Sequence, residues 1–188
     1  MSTLAPPSLE WPAAITTARL EIRPPRIEDA PELNAAVRET LACLRPWMDW
    51  AQEPPTLAET EANLRRACER FEAREDFRLH LFLKGTNTLI GGSGLHGPDW
   101  RVPKFEIGYW VRASYARQGY ITEAVRGIAG FAFTNLSAQR VIITLSARNE
   151  RSARVAERAG FTLEGTLRNN ERLIDGALSD TMMYAKVV

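Results

Sequence analysis

Residues 105–146 read FEIGYWVRASYARQGYITEAVRGIAGFAFTNLSAQRVIITLS. FEIGYWVR (105–112) alternates apolar and polar residues, as a half-buried strand does. Ile121, Ala124, Val125, Ile128, Ala129 and Ala132 then fall on one stripe of a helix with a 3.6-residue period. RVIITLS (140–146) is a short apolar run rich in β-branched residues, the pattern of a buried strand. A strand, a crossover helix and a second strand in one sheet imply parallel pairing. Between the first strand and the helix lies a polar joint, ASYARQGY (113–120).

That joint has a physical reading of its own. The start of a helix leaves backbone N–H groups unpaired and carries partial positive charge. A glycine there lets the backbone approach a ligand closely. Gly119 occupies that place, with Arg112 and Arg117 nearby, so the segment can hold a phosphate or pyrophosphate. Many such joints carry a glycine for turn geometry alone, and the stretch by itself says only that an anion fits.

Working outward, ARLEIRP (18–24) reads as a strand and Ile27 to Arg38 as a helix with Glu28 and Asp29 in its first turn. LRPWMDW (44–50) is a connection whose aromatic residues serve as core filler or as a pocket wall. Leu57 to Arg74 is a polar helix, and 77–84 and 89–96 form a hairpin around the turn GTNT (85–88). Asn149 to Ala159 is a short helix closed by Gly160. Strands at 161–169 and 181–188 flank a loop at 170–180. Residues 1–16 read as a tail, and 17–188 as one α/β domain without internal repeat.

Gly92-Ser-Gly94-Leu-His-Gly97 matches the dinucleotide pattern GxGxxG. That reading requires a helix to start next. Pro98, Asp99 and Pro103 follow instead, so the segment reads as a glycine-rich strand with a bulge.

The bulk numbers close off several classes. The chain has 188 residues and a formal net charge of +1, which provides no global field for nucleic acid or an anionic membrane. Its positive side chains are nearly all Arg, with Lys only at positions 84, 104 and 186. Cys43 and Cys68 lie far apart, no apolar leader opens the chain, and no run of about 20 apolar residues exists. Disulfides are not expected, and the cytoplasm is the expected compartment. With His80 and His96 the only histidines, neither a metal site nor a histidine-based catalytic triad is expected.

The segment EIGYWVRASYARQGYITEA (106–124) resembles the acetyl-CoA loop of the GNAT superfamily of N-acetyltransferases. A second block, NERSARVAERAGFTLEGTLRNNERLIDGALSDTMMYAKV (149–187), resembles the same superfamily's RimJ/RimL-like branch, which acetylates N-termini of ribosomal proteins. The resemblance covers the chain from about Thr17 to Val188. The family loop is written [Q/R]-x-x-G-x-[A/G]; Ala116 and Ile121 depart from it at its first and last positions.

The resemblance implies a GNAT fold: a mixed, mostly antiparallel sheet with a central splayed parallel strand pair, flanked by helices. It implies acetyl-CoA as cosubstrate and no metal. The pantetheine arm would pair with backbone freed around Trp110, Val111 and Arg112. The pyrophosphate would rest on the amides of Arg117, Gln118, Gly119, Tyr120, Ile121 and Thr122. Asn149 would hydrogen-bond the pantetheine arm, though Asn is also a good N-cap. Ser152 would lie near the sulfur, where it could protonate the leaving thiolate. Glu171 aligns with a glutamate proposed as general base in this branch, and Glu106 is its rival. The Val111 N–H is a candidate oxyanion donor. The implied acceptor is a protein N-terminal α-amine, with a small-molecule or antibiotic amine as alternative, and a homodimer as the implied assembly. An acyl-CoA-binding sensor of weak activity is the alternative from another class.

Overall fold

The computed structural model describes residues 11–188. Eight strands form one sheet: β1 (Ile15–Thr16), β2 (Leu20–Arg23), β3 (Phe77–Leu83), β4 (Leu89–Asp99), β5 (Lys104–Val111), β6 (Arg140–Ser146), β7 (Thr162–Arg172) and β8 (Leu178–Val187). The spatial order is β1-β2-β3-β4-β5-β6-β8-β7. Four helices complete the fold: α1 (Ala30–Leu44), α2 (Leu57–Glu72), α3 (Tyr120–Asn135) and α4 (Glu150–Arg158). Every neighbouring pair is antiparallel except β5 and β6. The strand-helix-strand reading of residues 105–146 therefore holds, and with it the expected mixed sheet.

The expected tail lies outside the described residues as far as residue 10. From there on the chain packs against the fold. The Trp11 ring stacks on Phe77 with centroids 5.0 Å apart, and Ile15 pairs with Ile22. The main core lies between the sheet and α3, where Leu79, Leu81, Ile90, Phe105, Ile107, Val125, Ile128 and Val141 are buried together. A second core, with Ala30, Leu33, Val37, Leu64, Phe82 and Leu89, joins α1 and α2 to the other face.

Two boundaries differ from the sequence reading for physical reasons. The loop expected at 170–180 is mostly strand: β7 runs to Arg172 and β8 begins at Leu178, with a turn closed by Leu173 N–H donating to the Ala177 carbonyl at 2.9 Å. β7 is an edge strand exposed on both faces, so its polar residues carry no burial alternation. The helix expected to end near residue 38 continues to Leu44, because Leu41 and Leu44 pack with Ala51 into a further apolar cluster.

The GxGxxG segment is strand throughout and starts no helix. Its glycines answer to close packing instead. A Cβ on Gly92 would stand 2.5 Å from the Trp110 indole nitrogen, and one on Gly94 would stand 2.8 Å from the Phe77 carbonyl oxygen.

Candidate active site

β5 and β6 begin side by side and then part. Lys104, Phe105 and Glu106 pair with Arg140, Val141 and Ile142, and no pairing follows along the rest of either strand. On its other edge β5 stays paired with β4 as far as Val111. The Arg112 N–H donates to the Ile90 carbonyl at 2.8 Å. Backbone direction alternates along a strand, so the N–H and C=O groups of Tyr109 and Val111 face the opposite edge, toward the gap left by β6. Buried backbone polar groups demand partners, and a gap edged with such groups is suited to an extended, amide-bearing ligand. Two of the three expected positions face the other way: the Arg112 N–H is already used on β4, and by the same alternation the backbone groups of Trp110 also face β4.

The Arg112 side chain is also engaged. Its guanidinium donates to Glu39 at 2.6 Å and to Glu32 at 3.3 Å, and Glu39 further accepts from the Ser114 N–H at 2.9 Å. The Arg112 hydrogen bond, helped by Ser114, holds the Glu39 carboxyl down to about 2. Arg112 thus ties the joint to α1 rather than adding free charge to an anion site.

Beyond β5 the chain makes one 3₁₀ turn, Ala113–Tyr115, and enters α3. Arg117 has φ 63° and Gly119 has φ 83°, so the joint contains two left-handed residues. Gly119 is the N-cap of α3 and has no side chain to cap the first amides, which leaves them open to an anion. Ile121 turns inward and is buried, so its departure from the family's small residue is absorbed by core packing. Arg19, Thr122, Arg126 and Arg158 line a shallow cavity of about 720 Å³ beside Gly119. Arg19 donates to the Gln118 carbonyl at 3.1 Å and to Glu123 at 2.7 Å, and sits over the Tyr120 ring at 4.3 Å. Arg126 donates to the Arg158 carbonyl. These three arginines come from β2 and its lead-in, α3 and α4, so no local pattern could have announced them.

On the far side of the gap, Asn149 is the N-cap of α4: its Oδ1 accepts from the Ser152 N–H at 3.1 Å. The cap uses only the oxygen and leaves the amide NH₂ for a ligand, so the capping and binding readings coexist. Ser152 Oγ donates to the Tyr109 hydroxyl at 2.9 Å, and that hydroxyl donates to the Ser152 carbonyl at 3.0 Å. Burial pushes the Tyr109 phenol up to about 12, against the Ser152 hydrogen bond, which lowers it. Tyr109 was absent from the sequence candidates; its place two residues before Val111, on the same side of β5, was the available signal.

A second, larger cleft of about 880 Å³ opens on the α1–α2 face of the sheet. Gly108, Tyr109 and Trp110 belong to its lining, so it meets the gap across β5. Trp50 forms part of its wall, with its ring centroid 6.4 Å from that of Trp110, which selects the pocket-wall reading of the 44–50 connection. Arg66, Arg78, His80 and His96 also line it. Both histidines carry a carboxylate behind the ring: His80 Nδ1 is 2.9 Å from Asp29, and His96 Nδ1 is 2.6 Å from Asp76. Burial works against ionised Asp29, but His80 and Arg23 outweigh it and hold its carboxyl well below the usual range. The sequence reading found no histidine pairing because these partners lie 51 and 20 residues away.

Neither candidate base is among the residues lining this cleft. Glu106 is the last β5 residue paired with β6 and accepts from the Thr144 hydroxyl. Glu171 stands opposite Ser179, whose hydroxyl is 2.7 Å from that of Ser146 at the end of β6. One Glu171 oxygen, Oε1, is buried without a hydrogen-bond partner.

A sheet opened between two parallel strands, with a helix start at its mouth, defines an acyltransferase scaffold, and comparison with known proteins agrees. The acetyltransferase (GNAT) domain family matches residues 19–162. The chain belongs to the GNAT acetyltransferase family and is an N-acetyltransferase. It is 30% identical over 158 residues to YdaF of Bacillus subtilis (strain 168), provisionally named a ribosomal N-acetyltransferase, covering 84% of this chain and 85% of that one. It is 26% identical over 147 residues to the ribosomal-protein-serine acetyltransferase of Escherichia coli (strain K12), covering 77% and 81%. Among solved structures, a RimL ribosomal L7/L12 α-N-protein acetyltransferase in complex with coenzyme A superposes with a TM-score of 0.86. That match covers 93% of this chain and 98% of the other at 24% identity, which speaks for the fold.

Proposed function

We propose that the chain transfers an acetyl group from acetyl-CoA to the N-terminal α-amine of a protein, such as a ribosomal protein, in the cytoplasm. The observation that carries this reading is the gap between β5 and β6, with the α3 start at one end and Asn149 at the other. Tyr109 and Val111 offer backbone to the pantetheine arm, and the first amides of α3 with Arg19, Arg126 and Arg158 offer charge to the phosphates. The Val111 N–H serves as oxyanion donor. Ser152, joined to the Tyr109 hydroxyl, delivers a proton to the departing sulfur. Glu171 takes the proton that the amine loses after attack, with Glu106 as the rival for that role.

The acceptor enters through the cleft on the other face, and the two substrates meet at Gly108–Val111 without a covalent acyl-enzyme. Arg66 and Arg78 in that cleft are matched by Glu53 and Glu59, so it is not the strongly acidic pocket that a polycationic drug would call for. The names of the relatives favour a protein terminus. A homodimer is supported by the exposed edge strand β7, where Leu163 and Leu167 are solvent-facing.

A thiol-release assay with acetyl-CoA and a panel of peptides and small amines tests the reading. Thiol release with acetylated peptide α-amines is the expected result. CoA binding without turnover on any amine would favour an acyl-CoA sensor, and turnover confined to small amines would move the acceptor class.

A further inference from the structure

The placement of His96 goes beyond the carboxylates considered so far. Its ring lies over two glycines: a Cβ on Gly94 would stand 2.6 Å from its Cε1 and 2.8 Å from its Nε2, and one on Gly108 would stand 3.4 Å from Nε2. A side chain at Gly94 would displace the ring, whereas Gly108 sits at van der Waals distance beneath it. The ring therefore reaches from β4 over β5, at the residue before Tyr109, where the acceptor cleft meets the gap. Nδ1 is 2.6 Å from Asp76, whose side chain is 11% exposed, while that of His96 is 36% exposed. Burial opposes ionisation of Asp76, but the hydrogen bond from His96 leads the causes that outweigh it and lower its carboxyl from the usual value. An ionised carboxylate only accepts, so Nδ1 carries the hydrogen and Nε2 of the neutral ring keeps a lone pair.

We infer that His96, oriented by Asp76, is a catalytic base that takes a proton from the acceptor's ammonium group in the cleft and so generates the nucleophilic amine. The inference rests on the transferase reading above and deepens it. A protonated α-amine must lose one proton before attack and a second after it. In the first step the N–H bond breaks, its electron pair stays on nitrogen as the nucleophilic lone pair, and the proton bonds to Nε2. The imidazolium returns the proton to water through the open side of the ring. The second proton is the one assigned to Glu171. Asp76 is a positioning residue. His80 is not equivalent: it lies on β3, two strands from β5, and its Nε2 is sealed from solvent without a partner. Asp76 contacts His96 and feels the charges of Arg70 and Arg78, Glu106 stands opposite His96 on β5, and Arg66, Arg78, Glu53 and Glu59 share its cleft.

The test is the pH profile of kcat/KM for a peptide acceptor that the wild type acetylates. His96→Gln should lower kcat/KM at pH 7 by about tenfold, because an α-amine of pKa near 8 is only about one-tenth neutral there. The deficit should shrink above about pH 9, where an α-amine of pKa near 8 is already neutral. Affinity for CoA, measured by calorimetry, should not change. Asp76→Asn should give a smaller loss of about two- to threefold, since the base remains but is less well held. Added imidazole should partly restore His96→Ala. A loss of equal size at every pH, without imidazole rescue, would reveal a structural role and overturn the inference, as would full activity in His96→Gln. Failure of the wild type to acetylate any amine would instead overturn the transferase reading, and this inference with it.

Discussion

Gly119 turns the chain at φ 83° into α3, and a Cβ there would meet only the Arg19 guanidinium, at 3.6 Å. Gly119→Asp adds both left-handed strain and a carboxylate at the place of the proposed pyrophosphate. CoA affinity should fall at least about tenfold by calorimetry, the scale of one lost charge-assisted contact; an unchanged affinity would remove the anion site from this joint. Glu171→Gln should lower kcat by roughly 10²-fold if Glu171 is the base. Full-rate turnover in that variant would shift the role to Glu106. Gly119 and Asn149 were legible in the sequence because a helix start needs only local residues. Tyr109 with Ser152, His96 with Asp76, and the arginines 19, 126 and 158 were not, since each gains its meaning from a partner on another element.

Glu39, with Glu32 and Thr40, holds the joint between β5 and α3 to α1. Glu39 binds the Arg112 guanidinium and the Ser114 N–H together. Its folded pKa of about 2 lies below the ordinary glutamate value of about 4.3. A depressed carboxyl stabilises the fold above the unfolded value, and that contribution fades as pH falls toward about 2. Denaturant unfolding of wild type and Glu39→Gln should therefore differ at pH 6, draw together below about pH 4 and converge only near pH 2. Solvent screening keeps the difference small; a gap that widens on acidification would contradict the assignment. At this scale the strand-helix-strand core was readable from periodicity alone. The end of β7 was read as loop because an edge strand with both faces in water shows no alternation.

Across the whole molecule, one sheet separates two working faces. α3 and α4 lie on the side of the proposed phosphate site, and α1 and α2 wall the cleft proposed for the acceptor. In the proposed reading the two substrates meet where β5 parts from β6, a geometry flanked by the main core. Leu81→Ala, at a fully buried position in that core, should cost about 2–5 kcal/mol in denaturant unfolding. Sedimentation should show a dimer, and Leu167→Glu on β7 should shift it toward monomer; an unaltered dimer would place the interface elsewhere. Fold class followed from sequence pattern, whereas the cleft did not, because it is built from strands and helices that no single segment contains. The most direct test of the account is a crystal structure of the chain grown with CoA. The account predicts the pantetheine arm between β5 and β6, hydrogen-bonded to Tyr109 or Val111 backbone, with the pyrophosphate on the amides from Gly119 to Thr122. CoA bound elsewhere, with that gap closed or empty, would contradict it.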